Sequence, residues 1–319
     1  MLLQGSLSIE RMCQLVPISR RSFYRSLKEQ QPAEEELEVR SAIQQIALEH
    51  RRRYGYRRIT AELHRRGMQI NHKRVVRIMR KDNLLGLQPQ RFKVTTNSNH
   101  KFEVYLNLAA PMKLSGINQL WVADITYIRL KAEFVYLTVI LDGFSRKVVG
   151  WALDRTLAVR LTIGALEQAI ERRQPAPGLV HHSDRGFQYA HAEYIGILEK
   201  CHMVPSMSRP ANPYDNASCE SFMKTLKREE IYANKYDDLE SLRANIEEFI
   251  EQYYNRQRLH SALGYRSPEE FEQKTESQAE SRSATMEFFE NKETNKKNSK
   301  GLLGTGTQMP SPSPDPFSC

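Results

Sequence analysis

Asp124, Asp184 and Glu220 are the side chains in this sequence best suited by type and spacing to carry chemistry; 59 and then 35 residues separate them. Asp124 ends the strand-like run Leu120-Trp121-Val122-Ala123, Asp184 follows the short apolar run before His181-His182-Ser183, and Glu220 opens a helical segment through Lys227. Strand ends and a helix face can bring such distant acids together. Three converging anions resist ionising together unless a cation neutralises them. The cluster therefore implies Mg²⁺, with Mn²⁺ able to substitute, since oxygen ligands suit both. Two such ions about 3.5–4 Å apart can hold the attacking and leaving oxygens of an in-line phosphoryl displacement. Water as nucleophile gives nicking, and a DNA 3′-OH gives strand joining.

The elements that must position these acids can be read from periodicity. Leu120–Leu130, Phe134–Leu141 and Lys147–Leu153 are apolar and β-branched, with short polar links, and predict an antiparallel meander. A helix over Val159–Arg173 follows, then a strand at Leu179–His182, a helix near His191–Lys200, a strand at His202–Ser206 and the Glu220 helix. The order β-β-β-α-β-α-β-α predicts an α/β fold: a mixed five-stranded sheet flanked by helices, resembling a ribonuclease-H-like layout. On the last helix, Lys224 and Lys227 fall within about 40° of Glu220 at ~100° per residue. Phe222, Met223 and Leu226 point the other way, toward a core. The two lysines suit a DNA backbone, although Glu220–Lys224 pairing on an ordinary amphipathic helix satisfies the same pattern.

The N-terminal third is organised differently. Residues 1–100 carry 20 Lys/Arg against 9 Asp/Glu, a balance of +11, whereas the remaining 219 residues carry 27 against 29, or −2. Charge segregated in this way points to a polyanion, most simply double-stranded DNA, with an RNA partner also open. Ile9, Met12, Cys13 and Val16 predict a first helix, and Ser19 caps a second through Tyr24. Gln30–Glu36 reads as a linker or a helix start, and Ile43, Ile46 and Ala47 share one face of a helix over Ala42–Leu48. Ile59 and Leu63 define a helix that stops at Gly67; Asn71 caps another from His72 to Lys81. On that last helix Lys73, Arg74, Arg77, Arg80 and Lys81 occupy one half of the wheel, opposite Val75, Val76, Ile78 and Met79. This all-α plan matches a helix-turn-helix whose second helix is basic, with Arg57 and Arg58 just upstream, although a surface helix with a solvated charged face satisfies the same pattern.

At the other end, Asp237-Asp238-Leu239-Glu240 has capping-box spacing and starts a helix to about Tyr254. Ser267-Pro268-Glu269-Glu270 starts one more. Gly301–Ser318 is Ser-, Pro- and Gly-rich and predicts disorder. The domain reading is thus 1–32 a helical segment, 33–100 the helix-turn-helix domain, 101–117 a linker, 118–273 the catalytic core with C-terminal helices, and 274–319 a disordered tail. No run approaches the ~18 apolar residues of a membrane span. Four scattered cysteines exclude a disulfide framework and a cysteine-rich zinc site, so a reduced, cytoplasmic protein is expected.

Several motifs together resemble one family. Trp121-x-x-Asp124-x-Thr126-Tyr127, His182-Ser183-Asp184-Arg185-Gly186-x-Gln188-Tyr189 and Asp215-Asn216-Ala217-x-x-Glu220-Ser221-Phe222 with Leu226-Lys227-x-Glu229 resemble the retroviral-integrase-type (DDE) core of bacterial insertion sequences, and within it the OrfB product of the IS-three family of transposases. Tyr54-Gly55-Tyr56-Arg57-Arg58-Ile59 resembles that family's helix-turn-helix region, and Tyr254-Asn255-x-x-Arg258-Leu259-His260 through Ser267-Pro268 its C-terminal signature. The resemblance runs from about residue 10 to 273. It implies that Asp124, Asp184 and Glu220 are the catalytic metal ligands, that Lys227 contacts the DNA end, and that the enzyme nicks to release a 3′-OH and joins it to another strand. It also implies a homo-multimer on DNA, a nucleoid-associated location, and the upstream OrfA product, or a frameshift fusion with it, as partner. Two positions depart from the family pattern: Phe187 replaces a small residue, and Arg209-Pro210-Ala211-Asn212-Pro213 lacks a glycine.

The residues by themselves leave two other functions open, a non-catalytic DNA-binding regulator or transposition inhibitor and a ribonuclease-H-like nuclease. Asp142, at a strand end before Gly143, reads as a turn stabiliser. His181 and His182 read as structural or DNA-near, and Trp121 and Trp151 as core aromatics. His260 reads equally as a packing residue or a DNA contact.

Overall fold

The computed structural model describes residues 9–16, 19–27, 34–85, 105–131, 133–208 and 216–278. The expectations for the loop Arg209–Pro213 and for most of the tail lie outside these residues. The chain divides into two compact units, residues 1–88 and 89–319.

In the first unit, α1 (Ile9–Leu15) and α2 (Arg20–Leu27) are followed by α3 (Glu34–Glu49), α4 (Tyr56–Arg65) and α5 (His72–Lys81). Ser19 Oγ accepts from Ser22 N–H at 3.1 Å, the cap read from the sequence. Helix α3 begins at Glu34 and is longer than the expected Ala42–Leu48, because Val39 extends the apolar stripe of Ile43 and Ile46 by one turn. Ile43, Ile46, Ile59, Leu63, Val75, Ile78 and Met79 are all sealed from solvent and form the centre of this small unit. Each such side chain contributes about 1.5–3 kcal/mol by leaving water. The turn between α4 and α5 requires Gly67, whose φ of +86° lies in the left-handed region. Asn71 Oδ1 then accepts from Lys73 N–H at 2.9 Å and caps α5.

The second unit is built on one sheet with strand order β3-β2-β1-β4-β5. Its strands are β1 (Leu120–Arg129), β2 (Phe134–Asp142), β3 (Val148–Asp154), β4 (Val180–Ser183) and β5 (Val204–Met207). The meander β1-β2-β3 is antiparallel, whereas β4 pairs with β1, and β5 with β4, in parallel. Helices α6 (Val159–Arg173), α7 (Phe187–Ala190) and α8 (Ala192–Lys200) supply the crossovers. Trp121, Ala123, Ile140, Ala165, Tyr189 and Tyr194 belong to one buried cluster beneath the sheet. Gly150 lets α6 lie directly on β3, since a Cβ there would collide with the Ala165 carbonyl oxygen. Residues of the expected 101–117 linker also rest on this unit: Leu108 N–H donates to Ser206 Oγ at 2.9 Å, and Tyr105 packs against the buried cluster.

Helix α9 (Ala217–Leu226) runs into a widened π turn at Lys227–Ile231, and α10 (Leu239–Glu247) into another at Glu248–Tyr254. The cap of α10 is Asp238, whose Oδ1 accepts from Ser241 N–H at 2.7 Å, one residue later than the capping-box spacing predicts. Asp237 is drawn away into an ion pair with Lys131. A final helix, α11 (268–278), is capped reciprocally by Ser267 and Glu270 as expected, and it runs past the predicted boundary at 273.

A buried pair ties these C-terminal pieces to α9. Arg258 Nε and Nη2 donate to the two oxygens of Glu229 at 2.8 and 2.9 Å, both side chains being almost fully sealed. Removing one partner strands a charge in a low-dielectric interior, at a cost of about 3–5 kcal/mol, while replacing both with apolar groups is often near neutral. Glu229→Ala should therefore lower the denaturant midpoint sharply. The pair Glu229→Leu with Arg258→Met should recover most of that loss in the same unfolding measurement.

Candidate active site

Asp124 and Asp184 reach the same place through strand register. Trp121 lies opposite His181 and Val122 opposite His182 on adjacent parallel strands. Two residues further along each chain come Asp124 and Asp184, just beyond the end of that ladder and near enough for Asp184 to oppose the ionisation of Asp124. Helix α9 is fastened to the same strand from outside the ladder. Cys219 Sγ–H donates to the Val122 carbonyl at 3.1 Å, and Asn216 Nδ2 donates to the Ala123 carbonyl at 3.3 Å. Glu220, one residue after Cys219, is thereby held next to Asp124.

The electrostatics reflect this placement. Burial pushes the Asp124 carboxyl up to about 7, and the neighbouring Asp184 and Glu220 carboxylates push in the same direction, against an opposing hydrogen bond from Ile125 N–H and the charge of Lys227. Burial also presses the Lys227 ammonium below its ordinary range, with Asp124 opposing. Lys227 sits with its Nζ 4.9 Å from the centre of the Tyr127 ring.

As placed, no three His, Cys, Asp or Glu side chains among the described residues converge closely enough to share an ion. Each acid is turned to a local partner instead. Asp124 Oδ1 accepts from Ile125 N–H at 3.0 Å, and Asp184 Oδ1 from Gly186 N–H at 2.9 Å. Glu220 Oε2 meets Lys224 Nζ at 3.2 Å, the i,i+4 pairing that the helix pattern also allowed. An exposed pair of this kind is worth only about 0.3–0.5 kcal/mol, so a rotamer change of Glu220 toward its neighbours is cheap. The donor set itself, three carboxylates, fits a hard divalent cation. Gly186 permits the tight approach at Asp184, since a Cβ there would stand 2.9 Å from Asp184 Oδ1.

Other singled-out residues have structural partners. Asp142 is fully buried and accepts from the Asn118, Phe144 and Ser145 N–H groups, locking the β2–β3 turn. The His181 ring meets the Tyr194 hydroxyl at 3.0 Å, and His182 lies between Ser206 and Ser208 at 2.9 and 3.0 Å. His260 is buried, its ring edge-on to Tyr254 at 4.8 Å, which favours packing over DNA contact. Trp121 and Trp151 are core residues. In the first unit, Lys73, Arg77, Arg80 and Lys81 are exposed along α5, with Arg74 half-buried; Val75, Ile78 and Met79 face inward and Val76 is half-buried. Arg57 is exposed, and Arg58 lies 5.7 Å over the Tyr54 ring. Sequence reasoning missed Asn216 and Cys219 as the fasteners of α9; their only signal was their place just before Glu220 on the buried side of its helix.

Comparison with known proteins decides the family. The integrase core domain matches residues 115–213 and again 202–268, and an HTH-like domain matches residues 33–92. The transposase InsF for insertion sequence IS3A of Escherichia coli is 34% identical over 276 residues, covering 85% of this chain and 96% of its own. The chain belongs to the IS3 family of insertion-sequence transposases. The transposase for insertion sequence element IS904 of Lactococcus lactis is 38% identical over 72% of this chain and 91% of its own. An uncharacterized 31 kDa protein of insertion element IS600 from Shigella sonnei is 36% identical over 82% and 98%. The ribonuclease-H-like sheet of this transposase is the integrase core, and its basic helical unit is the HTH-like domain.

Because the folded-state value of Asp124 lies above its unfolded value, folding takes up a proton between 3.8 and about 7. The contribution of this group to stability is therefore unfavourable above about 7 and fades as pH falls through that window. Asp124→Asn should raise the stability of this transposase core at pH 8 in EDTA, by on the order of 2 kcal/mol since the side chain keeps some solvent contact. The gain should shrink toward zero near pH 4, read as the difference between parent and variant melts.

Proposed function

We propose that this transposase nicks double-stranded DNA at the ends of its insertion sequence and transfers the released 3′-OH to a target strand, with Asp124, Asp184 and Glu220 as the metal-holding catalytic residues. One observation carries this reading: two acids in one register and a third on a helix fastened to the same strand, close enough to oppose the ionisation of Asp124. Such an arrangement is costly without a cation. Bound there, a pair of Mg²⁺ ions would supply Lewis acidity to the phosphate oxygens and lower the pKa of the attacking hydroxyl.

Everything else falls to the chain itself. Asp124, Asp184 and Glu220 would hold the ions through their carboxylate oxygens, and Lys224, once released from its pair with Glu220, would face the DNA backbone. Lys227, beside Asp124, balances the charge of the scissile phosphate. In nicking, water adds to phosphorus while the bond to the 3′ oxygen breaks, leaving a 3′-OH and a 5′-phosphate. In transfer, that 3′-OH forms the new bond and displaces the 3′ oxygen of the target strand. The basic face of α5, formed by Lys73, Arg74, Arg77, Arg80 and Lys81, with Arg57 and Arg58, holds duplex DNA as the second helix of a helix-turn-helix does. The protein acts as a multimer with the OrfA product, or fused to it, on DNA in the cytoplasm and nucleoid. A purely regulatory DNA binder would have no use for three coupled acids.

Asp124→Asn, Asp184→Asn and Glu220→Gln should each reduce Mg²⁺-dependent nicking and joining of end oligonucleotides by a thousandfold or more, on the order of the 4 kcal/mol that one transition-state interaction supplies, with DNA affinity kept. Parent-like activity in any of the three removes that residue from the site. Arg77→Ala with Arg80→Ala should weaken duplex binding and flatten its dependence on salt by about two phosphate contacts; unchanged salt slopes would remove α5 from the interface.

A further inference from the structure

Beside the carboxylates lies a surface of which the proposed reaction uses only Lys227. Strand β1 outlasts its parallel partner: the ladder with β4 covers Leu120–Val122, while β1 continues to Arg129. On this projecting end Tyr127 is 42% exposed and Phe134, on β2, 48%; Tyr232, just past the π turn, is 62% exposed. The Tyr127 and Phe134 rings meet edge-on at 5.8 Å. Arg129 pairs with Phe134 across the ladder and holds its guanidinium 5.6 Å from that ring, and Lys227 lies 4.9 Å over Tyr127. Tyr232 N–H donates to the Lys227 carbonyl at 2.8 Å, which ties the third aromatic residue to the lysine that lies over Tyr127.

Three large wet rings in one place are unusual on a protein surface. Arg129 lies against Phe134, and Lys227 against Tyr127 with Asp124 in electrostatic range, so both cations stand among the exposed rings where a polyanion could meet them. An apolar protein partner would have to bury both cations. Rings interleaved with cations are what unpaired nucleotides bind, bases stacking on the rings while phosphates meet the charges. We propose that Tyr127, Phe134 and Tyr232, with Arg129 and Lys227, form a stacking platform for unpaired nucleotides at the frayed end of the DNA strand whose phosphate lies at the acids. The proposal rests on the reading of Asp124, Asp184 and Glu220 as the catalytic site, because Lys227 joins the platform to Asp124.

The test reads binding without catalysis, so its failure is separate from failure of that reading. In EDTA, the full chain is titrated into a blunt mixed-sequence hairpin and into the same hairpin with a short single-stranded overhang carrying 2-aminopurine. The parent should quench the overhang fluorescence and bind the overhang hairpin about tenfold more tightly, within the range that base–aromatic stacking supplies. Tyr127→Leu with Phe134→Leu should abolish both the quench and the preference while blunt affinity stays the same, and Tyr127→Phe should retain them. Tyr232→Leu, at the most exposed ring, gives the same readout where the double variant does not fold. A parent without preference, variants that keep it, or equal loss on blunt and overhang DNA each overturns the platform. So does a change in oligomeric state with the preference intact, which assigns the patch to contact between copies.

Discussion

Mutual repulsion among Asp124, Asp184 and Glu220 is the constraint around which the second unit is built. Side chains that repel cannot gather themselves, so the backbone must do it, through contacts strong enough to be indifferent to their charge. A short parallel ladder fixes the first two acids to a common level. The third arrives on a helix whose inner face, Cys219, Phe222 and Leu226, is buried irrespective of what Glu220 does. Cys219 and Asn216 then bond main-chain carbonyls of β1 itself, so no loop intervenes between the strand and the helix that serves it. The outcome is a fold that holds repelling charges at one point, where burial first, and then the Asp184 and Glu220 carboxylates, raise the Asp124 carboxyl.

That arrangement needs α9 to be held from behind. The π turn after Leu226 offsets the following residues, so Glu229 enters the interior, where Arg258 grips both of its oxygens. Glu230 is buried by the same turn and accepts from the Tyr236 hydroxyl at 2.7 Å. Further along, Glu272 on α11 bonds Ser145 Oγ at 2.6 Å and pairs with Lys147 and Arg173. Ser145 in turn belongs to the turn organised by Asp142. The C-terminal helices are thus continuous with the sheet through charged contacts as well as apolar ones. A buried carboxylate with a committed cation behaves as a fixed joint, unlike the exposed Glu220–Lys224 pair, which is loose enough to rearrange.

Much of this was legible in the sequence, for identifiable reasons. The meander and α6 announce themselves because one face of each is apolar at a regular period, and α5 is bounded as expected because Asn71 caps it chemically. The neighbourhood of Asp124, Asp184 and Glu220 was suggested by residue type, although Asp124 stands in the middle of β1 rather than at its end, because β1 continues with β2 after its ladder with β4 stops. What periodicity could not show was the π turn, since one extra residue per turn shifts the wheel without altering composition. Lys227, where the turn begins, lies over Tyr127, while Lys224 keeps the ordinary i,i+4 pairing with Glu220 inside α9. The shift of the α10 cap to Asp238 was hidden for a different reason: Lys131, 106 residues away from Asp237, competes for that carboxylate. Buried partners such as Asn255 and Arg258 stood in quoted motifs, but nothing local tells whether a polar residue will turn inward.

Asn255 has a wider consequence. Its side-chain amide accepts from Val148 N–H and donates to Val148 C=O, both at 3.0 Å, taking at the first residue of edge strand β3 two bonds that a further strand could make. A sheet margin left open in this way invites another chain to add to it. Here an amide occupies that line at Val148 from within the same polypeptide, so a strand from another chain could not pair through those two groups.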